Sequence, residues 1–436
     1  MKSLTNWNNY PRIDADISLP VFSEDIPTIL NSSVPTIARG NGRCYGDASL
    51  GANILSTLSL NHALGFDDDN GIFSCQSGML LSDILEIIVT RGWYLPVTPG
   101  TKFITVGGAF ASDVHGKNHH KEGSFADHVL KIKLVKPDGV VEECSPELNP
   151  RLFWFTAGGM GLTGIIQEVT FKLKKIESPF ISQRQVKAGS LDEIIALFDE
   201  YKNYTYSVAW IDCLKRGKSF GRSILMVGEH TTKAEAEGKR FKVGSNITVP
   251  FYFPSFTLNP ITIMTFNQFF YSKNYRKVMD AVISSDKFFY PLDSILDWNK
   301  IYGKKGFIQY QFVVPREVGK KGITEILTRI TEKGWGSFLA VLKAFGPGSV
   351  PLTFQMEGYT LALDIPMNKN LFSFLDELDL MVKDFGGRIY LSKDARMKPE
   401  IFFSTYPKSN EFCQFVSSLD PKGIIQSGLS KRLKIK

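Results

Sequence analysis

The sequence predicts an α+β chain in two domains, the second an antiparallel sheet covered by helices. Three observations carry this. At 436 residues the chain exceeds the usual size of a single core. Between residues 34 and 177, short β-like runs alternate with glycine punctuation and one helical stretch. Beyond residue 179, longer strand-like runs alternate with amphipathic helices, the pattern of a sheet covered on one face. The divisions fall at residues 1–178, 179–387 and 388–436, the last a polar and helical segment that returns to the first domain.

In chain order, "TIAR", "GIFSCQSG", "WYLPV", "HVLKIKLVKPDGVVEE" and "GIIQEVTFKLKK" read as strands, with "PDG" the turn of a hairpin. "LLSDILEIIVTRGW" carries apolar residues at helical spacing after a serine and aspartate, so it reads as one amphipathic helix. The apolar period breaks at Pro179, in "KIESPFISQRQ", which marks the boundary. The second half offers strands in "YTYSVAWIDC", "RSILMVGEH", "GFIQYQFVVP" and "YTLALDIPM", and helices over 191–202, 323–333 and 371–385. Residues 246–277, rich in Phe, Tyr and Pro, follow neither period. They read either as a buried irregular connection or as a mobile aromatic lid.

Composition excludes several classes. Lys plus Arg number 51 against 44 Asp plus Glu, a net charge of +7 without a basic stripe, so no nucleic-acid partner is expected. An anionic ligand or a membrane face remains compatible with that charge. Cys44, Cys75, Cys144, Cys213 and Cys413 are odd in number and include no CxxC, which suggests neither a disulfide framework nor a zinc site and fits a reducing compartment. The first residues lack an apolar signal core and no run approaches a transmembrane span. The expected location is cytoplasmic, with peripheral contact at the inner membrane.

The chemistry-bearing segments are three glycine clusters. "ARGNGRCYGD" (38–47) follows a strand but does not run into a helix, so an anion there would be held by consecutive main-chain N–H groups in a turn. "PVTPGTKFITVGGAFASDVHGKNHHKEGSF" (96–125) places Gly107 and Gly108 where main chain can approach a flat or anionic ligand. "TAGGMGLTGII" (156–166) repeats the pattern. Together the three clusters can enclose an extended cofactor from several sides.

The succession R-G-x-G-R-x-Y-G-D, P-G-T-x(4)-V-G-G with D-x-H-G-K-N-H-H, and G-G-x-G-L-T-G-I-I resembles the FAD domain of the vanillyl-alcohol oxidase superfamily. "SVAWIDC", "FYPLDSILDWNKIYGKKGFIQYQFVVP", "FLAVLKAFGP", "GYTLALDIP" and "GGRIYLSKDAR" are similar to the flavin subunits of decaprenylphosphoryl-β-D-ribose 2′-epimerases, so the resemblance covers nearly the whole chain. It implies a two-domain PCMH-type FAD-binding fold. It also implies oxidation of the 2-hydroxyl of a polyprenyl-phosphate pentose to the ketone, the first half of a two-enzyme epimerisation in arabinan precursor synthesis for the cell wall. The partners implied are the lipid-linked sugar phosphate and a separate short-chain NAD(P)H-dependent reductase. An aldonolactone or alditol oxidase with a soluble substrate is the alternative.

The cofactor residues implied are Ala38, Arg39, Gly40, Asn41, Gly42, Arg43, Cys44, Tyr45, Gly46 and Asp47, then Gly100, Thr105, Val106, Gly107, Gly108, Ser112, Asp113, His115, Ile166 and Tyr390. Arg43 stands where many relatives carry a histidine joined to the flavin, so FAD is expected to be noncovalent. Lys393 in "YLSKDAR" matches the lysine the family places at flavin and substrate, for charge stabilisation or proton handling. Tyr45 reads either as its catalytic neighbour or as a buried structural tyrosine.

Gln309 and Gln311 alternate on one strand and so share a face, which suits recognition of sugar hydroxyls. Lys343, among apolar residues, reads either as a phosphate partner or as a snorkelling surface lysine. His115, Gly116, Lys117, Trp210, Tyr290, Thr360 and Ala362 complete the expected substrate wall. Ala362 stands where the actinobacterial enzymes resembled carry a cysteine, and Thr360 replaces an asparagine. His115, His119 and His120 beside Asp113 lack a matching distant carboxylate, and no metal is expected.

Overall fold

A computed structural model describes residues 1–32, 34–241, 247–254 and 256–436. It mixes helices with sheets that are mainly antiparallel. Three larger sheets position everything else.

The first has strand order Lys2–Leu4, Ile13–Ser18, Asn53–Ser56, Thr36–Arg39. Thr36–Arg39 and Asn53–Ser56 run parallel, with Ile37 opposite Ile54. Parallel neighbours need a crossover of about a dozen residues, most often a helix. Here the crossover is the glycine-rich stretch 40–52, which contains no helix, as its sequence predicts.

The second sheet, all antiparallel, has the order Ala63–Asp67, Ile72–Gln76, Ile165–Lys172, Val129–Val135, Val141–Cys144. The "PDG" hairpin joins its last two strands, with Gly139 at a φ of 83°. The amphipathic segment forms the helix Leu81–Ile88, passes through a 3-10 turn, and stops at Gly92 in the left-handed region (φ 79°). Its Leu81, Ile84, Leu85 and Ile88 share a core with Phe73, Val169 and Phe171.

The third sheet is the largest and again antiparallel: Val278–Ser284, Phe180–Ala188, Ser223–His230, Tyr206–Ile211, Ala340–Phe345, Gly358–Pro366, Phe307–Pro315, Arg388–Ile389. Successive side chains on a strand point to opposite faces. Ile308, Tyr310, Phe312 and Val314 therefore enter one core with Leu342, Leu361 and Leu363. The same core takes in Ile194 and Leu197 of the helix Leu191–Glu200, Ile323, Ile326 and Ile330 of Arg316–Lys333, and Leu375 and Leu378 of Leu371–Asp384. The alternate residues, Gln309 and Gln311 among them, face the other way.

Several elements depart from the sequence reading. Phe180–Ala188 opens as a strand directly after Pro179, whose missing N–H suits a strand start. Val278–Ser284 and Ala340–Phe345 complete the sheet. Within 246–277 the structure has a 14-residue helix, Pro260–Lys273, so that part of the segment is not an irregular connection, whereas 249–254 and 256–259 carry no helix or strand. Asn246 and Ser255 lie outside the described residues. The helix escapes a periodicity search because apolar residues occupy both its faces. It is started by Asn259, whose side chain accepts from the Ile261 and Thr262 amides, and by Pro260 in the first turn.

From Tyr390 onward the chain leaves the large sheet and returns to the small one. The Thr36 amide donates to the Ile424 carbonyl (2.8 Å) and the Gln426 amide to the Thr36 carbonyl (3.0 Å). Arg432 closes the return through a two-point pair with Asp47 (2.8 and 2.9 Å) and an ion pair with Asp394 (2.7 Å). Among the described residues no helix is long and apolar enough to cross a membrane.

Removing one partner of a buried ion pair leaves an uncompensated charge, which costs about 3–5 kcal/mol. Arg432→Leu is therefore expected to lower the thermal unfolding midpoint by several degrees and to loosen residues 390–436. Calorimetry and limited proteolysis check this; an unchanged midpoint counts against the clasp.

Candidate functional site

A cavity of ≈ 1040 Å³ lies between the glycine crossover, the segment 98–117 and the uncovered face of the large sheet. That is at the top of the range of about 300–1,000 Å³ for small-molecule sites, enough for an extended cofactor together with part of a substrate.

The sheet supplies the floor by alternation. Trp210, Val341, Ala362 and Gln311 stand side by side across four strands, since Trp210 faces Val341 in register, Val341 faces Ala362, and Ala362 faces Gln311. One step along, Lys343 faces Thr360. One step the other way, Gln309 faces Asp364 and donates to it at 2.6 Å.

The glycine segments supply the opposite wall. Ala38, Gly40, Asn41, Gly42, Arg43, Cys44 and Tyr45 line the cavity, as do Gly100, Thr105, Gly107, Gly108, Ser112 and His115. The helix Val106–Ala111 forms despite its two glycines because Thr105 caps it and Val106, Ala109 and Phe110 are fully buried. A side chain added at Gly108 would meet only the Thr105 hydroxyl, and one at Gly100 would meet nothing within 4 Å. Bare main chain is thus presented to the cavity, the surface a flat or anionic cofactor requires.

Lys393 is set by the returning segment. The Tyr45 amide donates to the Ser392 carbonyl (2.9 Å), and this brings the Lys393 ammonium to 3.6 Å from the centre of the Tyr45 ring. Burial pushes Lys393 down to about 7, against the opposing pull of Asp364 and with a further push from Lys343. Asp364, fully buried, is raised by burial to about 7 while Lys393 pulls it back. Lys343 is lowered by burial to about 8. Lys117, lowered by burial and by Lys343 to about 7, donates to the Phe288 carbonyl. Among the described residues, neither Lys343 nor Lys393 forms an ion pair. Three lysines whose charged form is disfavoured by burial therefore face one cavity.

His115 sits between two amides. Gln311 Nε2 approaches one ring nitrogen at 3.1 Å and Gln355 Nε2 the other at 3.3 Å, while Phe345, Phe354 and Tyr390 surround the ring. Burial and the charges of Lys343, His119 and Lys393 hold its pKa well below the usual imidazole value, so it is neutral. Its neighbours His119 and His120 turn elsewhere, one accepting from the Gly346 amide and the other against the Tyr204 carbonyl.

All of the remaining sequence-predicted residues except six line the cavity: Ile166, Gly116, Lys117, Trp210, Gln309, Gln311, Lys343, Thr360, Ala362, Tyr390 and Lys393 are there. The other six stand behind it. Arg39 donates to the Thr5 carbonyl (2.9 Å) and lies against Gly42 from behind. Gly46 is small because a side chain there would strike the Asp394 carbonyl at 1.9 Å. Asp47 is held by Arg432, and Val106 is in the core. Asp113 is buried and raised by that burial to about 7. Tyr290 shares a hydrogen bond with Thr98 (2.6 Å) and so supports a wall residue.

Sequence reasoning missed Asp364 and Gln355. The first was within reach, because Thr360, Ala362 and Asp364 continue one alternation. Gln355 touches His115 only through tertiary packing and has no local sign. Trp7, also missed, lines the cavity and carries the Arg43 guanidinium 4.0 Å from its ring centre.

A family model described as an FAD binding domain matches residues 26–145. A decaprenylphosphoryl-β-D-ribose oxidase of Mycolicibacterium smegmatis is 36% identical over 92% of this chain and 89% of its own. An uncharacterised protein of Streptomyces coelicolor is 29% identical over 81% of this chain and 99% of its own. L-gulonolactone oxidase of Mus musculus is 23% identical over 84% and 81%. Main-chain loops from the matched region, closed over a basic sheet face, define an FAD-dependent oxidoreductase with a PCMH-type cofactor domain. More narrowly, the chain belongs to the decaprenylphosphoryl-β-D-ribose oxidase family.

Because Gly46 lets the 392–394 backbone dock on the glycine crossover, Gly46→Ala is expected to displace Lys393 and open the cofactor wall. The purified variant should carry much less flavin per protein by visible absorbance. Full flavin content would contradict this account.

Proposed function

We propose that the protein oxidises the 2-hydroxyl of a polyprenyl-phosphate pentose, of the decaprenylphosphoryl-ribose kind, to the 2-ketone, with FAD held noncovalently. Lys117 and Lys343, both lining the cavity and both disfavoured by burial in their charged form, are the observation that carries this reading, since an anionic substrate is what would stabilise their charge. The name of the Mycolicibacterium relative supports the substrate class. The organisation proposed is a cofactor domain over 1–178, a substrate domain over 179–387 and a returning segment over 388–436.

Lys117 and Lys343 receive the phosphate, and the neutral Gln309, Gln311 and His115 orient the sugar hydroxyls. Bound FAD supplies the acceptor for the two electrons and the carbon-bound hydrogen that leave as the alcohol becomes a ketone. The hydroxyl proton passes to the Lys393 amine, which at neutral pH is deprotonated in a large fraction of molecules. The Tyr45 ring packs against that amine, and Asp364 tempers its loss of charge. Arg43 forms no bond to a flavin, which accounts for noncovalent binding. The ketone then requires a separate NAD(P)H-dependent short-chain reductase, which would deliver hydrogen to the opposite face and complete the epimerisation.

Lys393→Met is expected to keep its FAD and to lose about a hundredfold or more in the rate of anaerobic flavin reduction, as for removal of a general base. In the unmodified protein that rate should rise with pH through about 7, because the protonated lysine below that value cannot take a proton. Stopped-flow bleaching of the flavin measures both. Retention of the pH 7 ionisation in Lys393→Met would assign it to another group. Acid precipitation should leave the yellow colour in the supernatant, whereas colour in the pellet would mean a covalent bond.

A further inference from the structure

The helix Pro260–Lys273 is anchored on one side and bare on the other. On its inner side Ile263 and Asn267 are buried. Asn267 donates to Asp212 (2.9 Å), itself paired in the interior with Arg222, and Phe270 lies 4.9 Å from the Trp210 ring. The outer side should therefore be polar. It is mixed: alongside Thr265, Gln268 and Ser272, Ile261 is 71% exposed and Phe269 69%, with Met264 beside them and Tyr275, 73% exposed, just beyond the helix. Such a patch on a soluble chain marks an interaction surface.

Its chemistry indicates the partner. From Ile247 to Met279 the sequence has no aspartate or glutamate, while Lys273, Arg276 and Lys277 cluster where the helix ends. Lys277 is paired with Glu193, and among the described residues Lys273 and Arg276 form no ion pair. Apolar side chains flanked by unneutralised cations match an anionic lipid surface, with the rings below the headgroups and the cations among them. The patch is also continuous with the cavity, because Phe266 and Phe270 of the same helix and Thr248 before it line the cavity wall. A lipid tail leaving the cavity beside Phe266 would emerge onto this surface.

We propose that the outer face of Pro260–Lys273, with Tyr275, Lys273 and Arg276, docks the protein on an anionic bilayer and opens the cavity to lipid from that side. This rests on the lipid-linked substrate reading and deepens it by naming the surface through which such a substrate enters.

The test uses the FAD-loaded full chain and vesicles of phosphatidylcholine with and without phosphatidylglycerol. The chain is expected to co-sediment with the anionic vesicles. Ile261→Gln/Phe269→Gln should cut the bound fraction by about tenfold or more, as loss of two inserted apolar side chains implies. Lys273→Glu/Arg276→Glu should lose binding only to the phosphatidylglycerol vesicles. Circular dichroism and flavin content should match the unmodified chain, and a short-chain, water-soluble prenyl-phosphoryl pentose should reduce the flavin equally in all forms. Absence of co-sedimentation, or equal binding by the Gln variant, overturns the surface. A dimer of the unmodified chain that the Gln variant splits assigns the face to a second copy and overturns it too. Vesicle binding lost as expected, with no reduction by any prenyl-phosphoryl pentose, leaves the surface standing and removes the substrate reading instead.

Discussion

Lys117, Lys343 and Lys393 lose water around a single cavity, where Lys343 disfavours the charge of the other two, and the surrounding structure is arranged to keep them in place. A lysine stem can ordinarily swing its ammonium out to solvent. Lys343 does not, because it sits mid-strand in the large sheet with its neighbours' apolar side chains turned away to the helices. Lys117 is tied to a backbone carbonyl, and Lys393 is fixed by a three-residue turn whose carbonyl is bonded to the glycine crossover. Asp364 is close enough to temper Lys393 but is bonded to Gln309 instead of to the lysine. The cluster of desolvated lysines is thus a property of three separate parts of the chain.

The same sheet presents two unlike faces. One face is packed by three helices; the other carries amides, Lys343 and a carboxylate in alternation with the core residues. A one-residue slip of Ala340–Phe345 would exchange its faces and bury Lys343 among leucines. The continuous antiparallel pairing from Val278 to Ile389 therefore sets the chemistry of the cavity as well as the stability of the core.

Much of this was legible in the amino-acid sequence where local rules act. The hairpin at Pro137–Gly139, the helix stopped by Gly92, the alternation of Gln309 with Gln311 and the crossover without a helix follow from turn chemistry and periodicity. The helix Val106–Ala111 was hidden because two glycines lower its intrinsic propensity, and burial of Phe110 overrides that. Pro260–Lys273 was hidden because a helix with apolar residues on both faces has no period to detect. Among the cavity residues, those carried by glycine loops or strand alternation could be found. Gln355 and the backing roles of Asp47 and Tyr290 could not, since each depends on a partner far away in the chain.

The bridge between Thr36 and Ile425 has a consequence for biogenesis. Residues 36–46 are made early, yet their main-chain partners at 392 and 424–426 are made hundreds of residues later. On the ribosome the glycine crossover waits, unpaired on that side, for nearly the whole of synthesis. Its closure is therefore a late step in the chain's assembly.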